Sequence, residues 1–172
     1  MYGALGEAEA AELVSRFEAA RFEDVHFHGV VAKRTVLHFG TGYAYDRRGL
    51  DAAPPIPDWL EPLRARASAW TGIPADAFAE LLITRYPPGA GIGWHRDAPV
   101  FGPTVAGVSL GAACLFRFRR ESGGVWERFD VTLPPRSGYV IGGAARALWQ
   151  HSILPVRETR YSITLRTLRR PR

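Results

Sequence analysis

A chain of 172 residues with 47% apolar residues is long enough to bury one substantial core and too short to make two comfortable domains. Its 22 Lys+Arg against 17 Asp+Glu give a formal charge of +5, and Lys33 is the lone lysine, so arginine supplies nearly all the positive charge. The single cysteine, Cys114, excludes an internal disulfide and a four-cysteine zinc site, and no apolar run approaches the length of a membrane span. The start, Met1 to Glu12, is acidic and lacks the basic flank of a signal peptide. The expectation is one soluble, cytoplasmic domain over residues 1–172, with no membrane association and no obligate protein partner. The arginine surplus has two readings. Arginine is the better fork for carboxylates and phosphates, yet a chain rich in Arg, Ala, Gly and Pro also reflects a biased genome.

Residues 7–20 (EAEAAELVSRFEAA) set Leu13, Val14 and Phe17 at helical spacing, with glutamates in the first turn where the helix dipole favours them. Residues 25–45 alternate aromatic, histidine and basic positions and read as two or three strands, followed by a Pro-rich extended connection from Asp51 to Pro57. Asp58 is placed to cap a second helix over WLEPLRARASAW, with Trp59, Leu63 and Trp70 on its buried stripe and Gly72 as its stop.

From Ala79 onward the chain becomes short apolar runs between turn residues: AELLITRY, GIGWHRD, VAGVSLG, ACLFRFRR, VWERFDVTL, SGYVIGG, ALWQHSIL and RYSITLRTL. Pro87-Pro88-Gly89, Ser122-Gly123-Gly124, Pro134-Pro135 and Gly142-Gly143 fall between them, and the turn at 121–124 makes a hairpin of its flanks. Eight short strands with flanking helices predict a mainly β fold, a sandwich or barrel with its core at about residues 79–168.

In GWHRD, His95 and Asp97 are two residues apart, so on an extended chain both side chains point to one face and Arg96 points away. His151, in WQHSIL, is the best placed third ligand. Two imidazoles and one carboxylate on one side of an ion suit non-haem iron(II) and leave coordination positions open. His26, His28 and His38 stay open as competing ligands, or as strand histidines with a satisfied hydrogen bond. RYSITLR puts Arg160, Ser162, Thr164 and Arg166 on one strand face and Tyr161, Ile163 and Leu165 on the other. Either the arginines go to solvent on a half-exposed strand, or they line a polar cavity. In the second case their backbones stand about 20 Å apart and the side chains lean inward over a gap comparable to a small dicarboxylate.

Taken together, His-x-Asp, a histidine 54 positions beyond the Asp, and nine residues later an Arg-x5-Arg strand form an ordered set. With ITRYPPGAGIGWHRD, GVSLGAACLFRFR and HSILPVRETRYSITLR, the chain resembles the AlkB-type family of iron(II)- and 2-oxoglutarate-dependent dioxygenases over roughly residues 35–168. The resemblance implies a double-stranded β-helix, a jelly-roll variant with helices packed outside. It implies iron at His95, Asp97 and His151, the remote carboxylate of 2-oxoglutarate at Arg160, and Arg166 near the inner end of this cosubstrate and the metal. Tyr86 would donate to the cosubstrate, and Thr84 stands where many members carry asparagine. The implied chemistry consumes 2-oxoglutarate and O2 and hydroxylates a C–H bond; at an N-alkyl carbon the product is a hemiaminal that releases an aldehyde.

The resemblance also implies a nucleic-acid substrate, alkylated DNA or RNA, with repair by demethylation as the activity. Residues 25–50 would then form a substrate lid, and Tyr43, Tyr45, Lys33, Arg34, Arg47 and Arg48 would contact bases and phosphates. A solvated hairpin edge is the other reading of these residues. Two departures bear on the substrate. Pro99 stands where base-repairing members often carry a second acid, and Val36 lies where a lid aromatic is expected. The same oxidation of a protein or small molecule, and a non-catalytic β-domain binding nucleic acid, are the alternatives.

Overall fold

A computed structural model of the chain describes residues 3–27, 29–44 and 49–169. The first helix, α1 (Glu7–Ala19), forms where the periodicity predicts it, burying Ala10, Leu13 and Phe17 along one stripe with Glu7 and Glu9 in its first turn. Strands β1 (Glu23–Phe27), β2 (Val30–Ala44) and β3 (Gly49–Ala52) follow, so the extended connection expected from Asp51 begins inside a strand paired with β2.

The second helix departs from expectation at its start. Asp58–Leu60 makes a 3-10 turn, and α2 (Glu61–Thr71) begins after it without any side-chain cap. The N–H groups that Asp58 would cap are already taken in this turn, Leu60 N–H by the Pro57 carbonyl and Glu61 N–H by that of Asp58, and Pro62 in the first turn of α2 has no N–H to satisfy. Gly72 ends the helix in the left-handed conformation at φ 71°, as expected. Leu60, Leu63 and Ala67 form the buried stripe, while Trp59 and Trp70 pack half-buried at its margins.

The remaining strands are β4 (Phe78–Tyr86), β5 (Ile92–His95), β6 (Phe101–Gly111), β7 (Cys114–Ser122), β8 (Val125–Leu133), β9 (Ser137–Ile141), β10 (Gln150–Ile153) and β11 (Arg160–Leu168). They build two antiparallel sheets. The larger runs β1-β2-β4-β11-β6-β9 with β3 on β2, and the smaller runs β5-β10-β7-β8. From β4 onward the chain passes back and forth between the sheets, with β7 and β8 as the predicted hairpin, which is the double-stranded β-helix. Two of the expected strands are trimmed. In ALWQHSIL, Ala147 is the last residue of a short helix, α3 (Gly143–Ala147), and the strand begins only at Gln150, while GIGWHRD stops pairing at His95.

Period-two alternation assigns the two faces of the larger sheet. Leu81, Ile83, Ala106, Val108, Leu110, Tyr161, Ile163 and Leu165 face outward beneath α1 and α2, sealed by Phe17, Leu60 and Leu63. Each fully buried Leu, Ile or Phe there contributes about 1.5–3 kcal/mol. Helix α1 is also tied to α2 by Arg66, whose Nη2 donates to Glu9 Oε2 at 2.8 Å. With that face closed, the alternate residues are turned toward the smaller sheet: Glu80, Leu82, Thr84 and Tyr86 on β4, opposite Arg166, Thr164, Ser162 and Arg160 on β11. The half-exposed-strand reading of RYSITLR is therefore overturned, because Arg160 and Arg166 are both buried.

Candidate active site

His95 and His151 come together through register alone. They are direct partners in the β5–β10 ladder, and their ring centroids lie 4.3 Å apart. Asp97 arrives differently from the extended-chain expectation: it sits beyond the end of β5, in the turn leading to β6, which folds the carboxylate back toward the imidazoles. One ligand atom from each of the three residues lies within 4.8 Å of the others, and this is the group the described residues offer to a metal. His26 and His38 line the neighbouring cavity wall but stand outside the group, and His28 lies outside the described residues.

The electrostatics suit a cation. Burial lowers the pKa of His95, and burial together with the neighbouring His95 lowers that of His151 to about 4, so both rings are neutral near pH 7 with lone pairs to offer. Nδ1 of His95 lies 2.8 Å from the Gly93 carbonyl; a proton donated there leaves Nε2 as the ligand atom. Burial by itself would raise the Asp97 carboxyl, but Arg166, the two imidazoles and Arg146 outweigh it and hold the group below its ordinary value. Two neutral imidazoles and one anionic carboxylate form a donor set for a divalent transition metal.

Behind Asp97 lies a buried chain of charge that sequence patterning does not disclose. Arg166 Nη1 donates to Asp97 Oδ1 at 3.0 Å, its Nη2 donates to Glu80 Oε1 at 3.0 Å, and its Nε donates to Glu80 Oε2. Glu80 is wholly buried, and the β4–β11 register sets it directly opposite Arg166. The available signal was an acid at an inward position beside the apolar stretch Leu81–Ile83 of AELLITRY. The resemblance sets Arg166 near the inner end of the cosubstrate; its guanidinium here spans Glu80 and the candidate metal ligand. Arg146 adds a second cation, with Nε 4.0 Å from Asp97 Oδ2 and Nη2 donating to the Ala98 carbonyl at 3.2 Å.

At the other end of β11, Arg160 is completely buried. Its Nε donates to Ser109 Oγ at 3.0 Å and its guanidinium lies 5.3 Å from the Tyr86 ring centroid, but neither Nη has a hydrogen-bond partner. A buried cation with an open fork is strongly unfavourable unless an anion completes it, and a carboxylate matches that fork in charge and geometry. Tyr86 stays protonated: burial raises its pKa to about 12 despite the opposing Arg160, so its hydroxyl is available to donate. Tyr139 leans over the sheet, 3.4 Å from Ser162 Oγ, across Gly107, where an added Cβ would fall 2.1 Å from the Tyr139 ring.

A cavity of about 620 Å³ adjoins the ligand group and reaches Tyr86, against whose ring Arg160 packs from outside the lining. Its lining includes His95, Asp97 and His151, Tyr86, Tyr139 and Ser162, and Arg166. Its opposite wall comes from β1, β2, β3 and the segment after β3, where Arg34, Val36, His38 and Asp51 face it. Of the expected substrate contacts, Arg34 is on this wall and Lys33 is exposed beside it. Tyr43 belongs to β2 by backbone pairing to Leu50, with its side chain outside the described residues, and Tyr45, Arg47 and Arg48 lie outside them altogether.

Residues 8–169 match the family described as the 2OG-Fe(II) oxygenase superfamily. The chain belongs to that superfamily, whose members use iron(II), 2-oxoglutarate and O2, and within it the chain is AlkB-like. It is 32% identical over 126 residues to the tRNA (carboxymethyluridine(34)-5-O)-methyltransferase alkbh8 of Xenopus tropicalis, covering 71% of this chain and 20% of that protein. It is 27% identical over 169 residues to the Alkylated DNA repair protein ALKBH8 homolog of Arabidopsis thaliana, covering 85% of this chain and 47% of that one. The chain thus spans less than half the length of these curated relatives. The solved structure of OsALKBH1 shares the fold, with a TM-score of 0.73, 16% identity, and coverage of 97% of this chain and 95% of that one.

Proposed function

We propose that this dioxygenase removes alkyl groups from nucleic-acid bases, with His95, Asp97 and His151 holding iron(II) and Arg160 holding the remote carboxylate of 2-oxoglutarate. The observation that carries the assignment is the open Arg160 fork, buried in the same interior as the three ligand atoms. When bound, the iron and its cosubstrate supply an oxidation in which 2-oxoglutarate is decarboxylated to succinate and one oxygen atom enters a substrate C–H bond.

The protein's own contributions are positional. Arg160 and the Tyr86 hydroxyl orient the cosubstrate from its far end. Arg166 holds one Asp97 oxygen, leaving the other to coordinate, and Glu80 keeps Arg166 in place. The apolar inner cluster, with Phe116, Phe118, Ile141 and Ile153, excludes water from the reacting centre. Hydroxylation at an N-alkyl carbon yields a hemiaminal, which needs no further catalyst to lose an aldehyde and leave the nitrogen dealkylated.

A nucleic-acid substrate is supported by the names of the relatives, which include a tRNA-modifying enzyme, an alkylated-DNA repair protein and the Probable RNA/DNA demethylase ALKBH6 of Danio rerio, 34% identical over 65 residues. It is supported too by the volume of the cavity beside the three ligand residues and by Arg34 on its wall. The lid reading of residues 25–50 assigns β1, β2 and the segment beyond them to covering an extruded base, with Tyr43, Tyr45 and Arg47 as contacts.

The test is to load the protein anaerobically with iron(II) and 2-oxoglutarate, admit oxygen, and quantify succinate and aldehyde. The panel comprises single-stranded oligonucleotides bearing 1-methyladenine or 3-methylcytosine, and tRNA. Succinate and formaldehyde in equal amounts with a methylated oligonucleotide is the expected result. Stimulated succinate with a protein or small molecule, and none with any nucleic acid, overturns it.

A further inference from the structure

The face of the smaller sheet turned away from the cavity carries an aromatic and cationic row that the catalytic reading does not use. Alternation assigns its members: Trp94 adjoins His95 on β5, and Arg117 and Arg119 alternate with the inner residues Phe116 and Phe118 on β7. Arg119 is the direct partner of Arg128 on β8 and of Gln150 on β10, and Trp126 is the partner of Glu121. The Arg119 guanidinium lies 4.5 Å from the ring centroids of both Trp94 and Trp126, and Arg117 lies 4.8 Å from Trp94. Nε of Arg119 donates to Gln150 Oε1 at 2.8 Å, which fixes the fork between the two indoles.

The charges on this face are unevenly matched. Arg117 has Asp130 at 3.9 Å, and Glu121 stands at the far end of the row. Arg119 and Arg128 face one another directly, and among the described residues neither has a carboxylate within ion-pair distance. Like charges directly opposed in a ladder are destabilising. The indoles offer Arg119 a cation–π contact but no countercharge. Trp126, 45% exposed, and the exposed Arg128 present a flat ring and a guanidinium to solvent. A ligand completing this surface brings an anion to the paired arginines and a planar ring to the indole, which is the chemistry of a nucleotide. An acidic peptide would satisfy only the first.

Topology links the row to the cavity. Strand β5 is an edge of the smaller sheet, its Ile92 and His95 line the cavity, and its Trp94 heads the outer row. A polynucleotide with one base in the cavity that passes over the β5 edge meets Trp94 first and then crosses the outer face by way of Arg119 on β7 to Arg128 and Trp126 on the far strand, β8. We infer that the outer face of β5, β10, β7 and β8 docks the single-stranded nucleic acid flanking the target nucleotide, with phosphates at Arg119 and Arg128 and a base stacked on Trp126. This rests on the nucleic-acid reading above.

Binding and turnover of a methylated trinucleotide and of a longer single-stranded oligonucleotide with the same lesion are compared for wild type, Trp126→Ala, Trp126→Phe and Arg128→Glu. Trp126→Ala is expected to weaken the longer ligand roughly tenfold and Trp126→Phe to restore most of that loss. Arg128→Glu is expected to weaken it and to flatten its salt dependence by about one phosphate contact. Trinucleotide turnover stays unchanged in all three. Equal affinity and salt dependence across Trp126→Phe, Arg128→Glu and wild type overturns the docking face while wild-type turnover leaves the function standing. Absence of nucleic-acid binding and turnover in wild type overturns both.

Discussion

The two ends of β11 carry the same side chain in opposite circumstances. At one end Arg166 is held by Glu80 and by Asp97, so its charge is neutralised within the protein. At the other, Arg160 makes one hydrogen bond to Ser109 and leaves both Nη atoms unpartnered in the interior. The first is a structural cross-link that aims a ligand, and the second is an incomplete site. Identical residues six positions apart on one strand face thus play different parts, because their cross-strand neighbours are Glu80 in one case and Tyr86 in the other. The lesson is that an arginine's function is read from what its fork touches and not from its motif.

Four experiments break or sharpen this contrast. The largest effect belongs to the group that Arg166 aims: Asp97→Ala is expected to abolish iron-dependent succinate production, and retention of wild-type turnover would remove Asp97 from the ligand set. Next, Arg160→Ala is expected to raise the apparent KM for 2-oxoglutarate by roughly 30-fold or more, the equivalent of about 2 kcal/mol or more for a buried charge-assisted pair. The same variant should lose the rise in Tm that 2-oxoglutarate confers on wild type, a readout that needs no turnover.

At the paired end the expectation reverses. Glu80→Gln strands part of a buried cation, so up to about 3–5 kcal/mol of stability is lost and Tm falls, while the KM for 2-oxoglutarate moves little. Iron affinity, followed by metal titration, falls by about 10–100-fold because the carboxylate of Asp97 is aimed less well. If Arg160→Ala and Glu80→Gln instead give the same pattern, the division between the two ends is wrong. The smallest effect is that of Gly107→Ala, whose Cβ would meet the Tyr139 ring at 2.1 Å. It is expected to lose about 1–3 kcal/mol in denaturant unfolding, with the iron ligands unaffected.

Much of the fold was legible because period-two alternation and turn residues mark strands directly. The runs after Ala79 become β4 to β11, and the Ser122-Gly123-Gly124 turn makes the β7–β8 hairpin. The errors have local causes. A 3-10 turn over Asp58–Leu60 delays the start of α2, and the chain leaves the β5 ladder at His95, so Asp97 reaches the site from beyond the strand. Glu80 was missed for a different reason. A lone acid in an apolar strand has no informative spacing to Arg166, 86 residues away, until the β4–β11 register sets them face to face. The same holds for the outer row, where Arg119 and Arg128 become opposed only through the hairpin register.

The sequence by itself determined the inventory and its order: one arginine-rich chain, a His-x-Asp pair, a later histidine and an Arg-x5-Arg strand, recognisable together because local spacing survives folding. The tertiary structure decided which of these groups meet. Register within the smaller sheet brought His95 against His151, register within the larger sheet paired Arg166 with Glu80, and the meeting of the two sheets set Asp97 against Arg166 and left Arg160 open in the interior. Burial makes such meetings decisive, since a charge removed from water is either neutralised by its neighbours or left in need of a ligand.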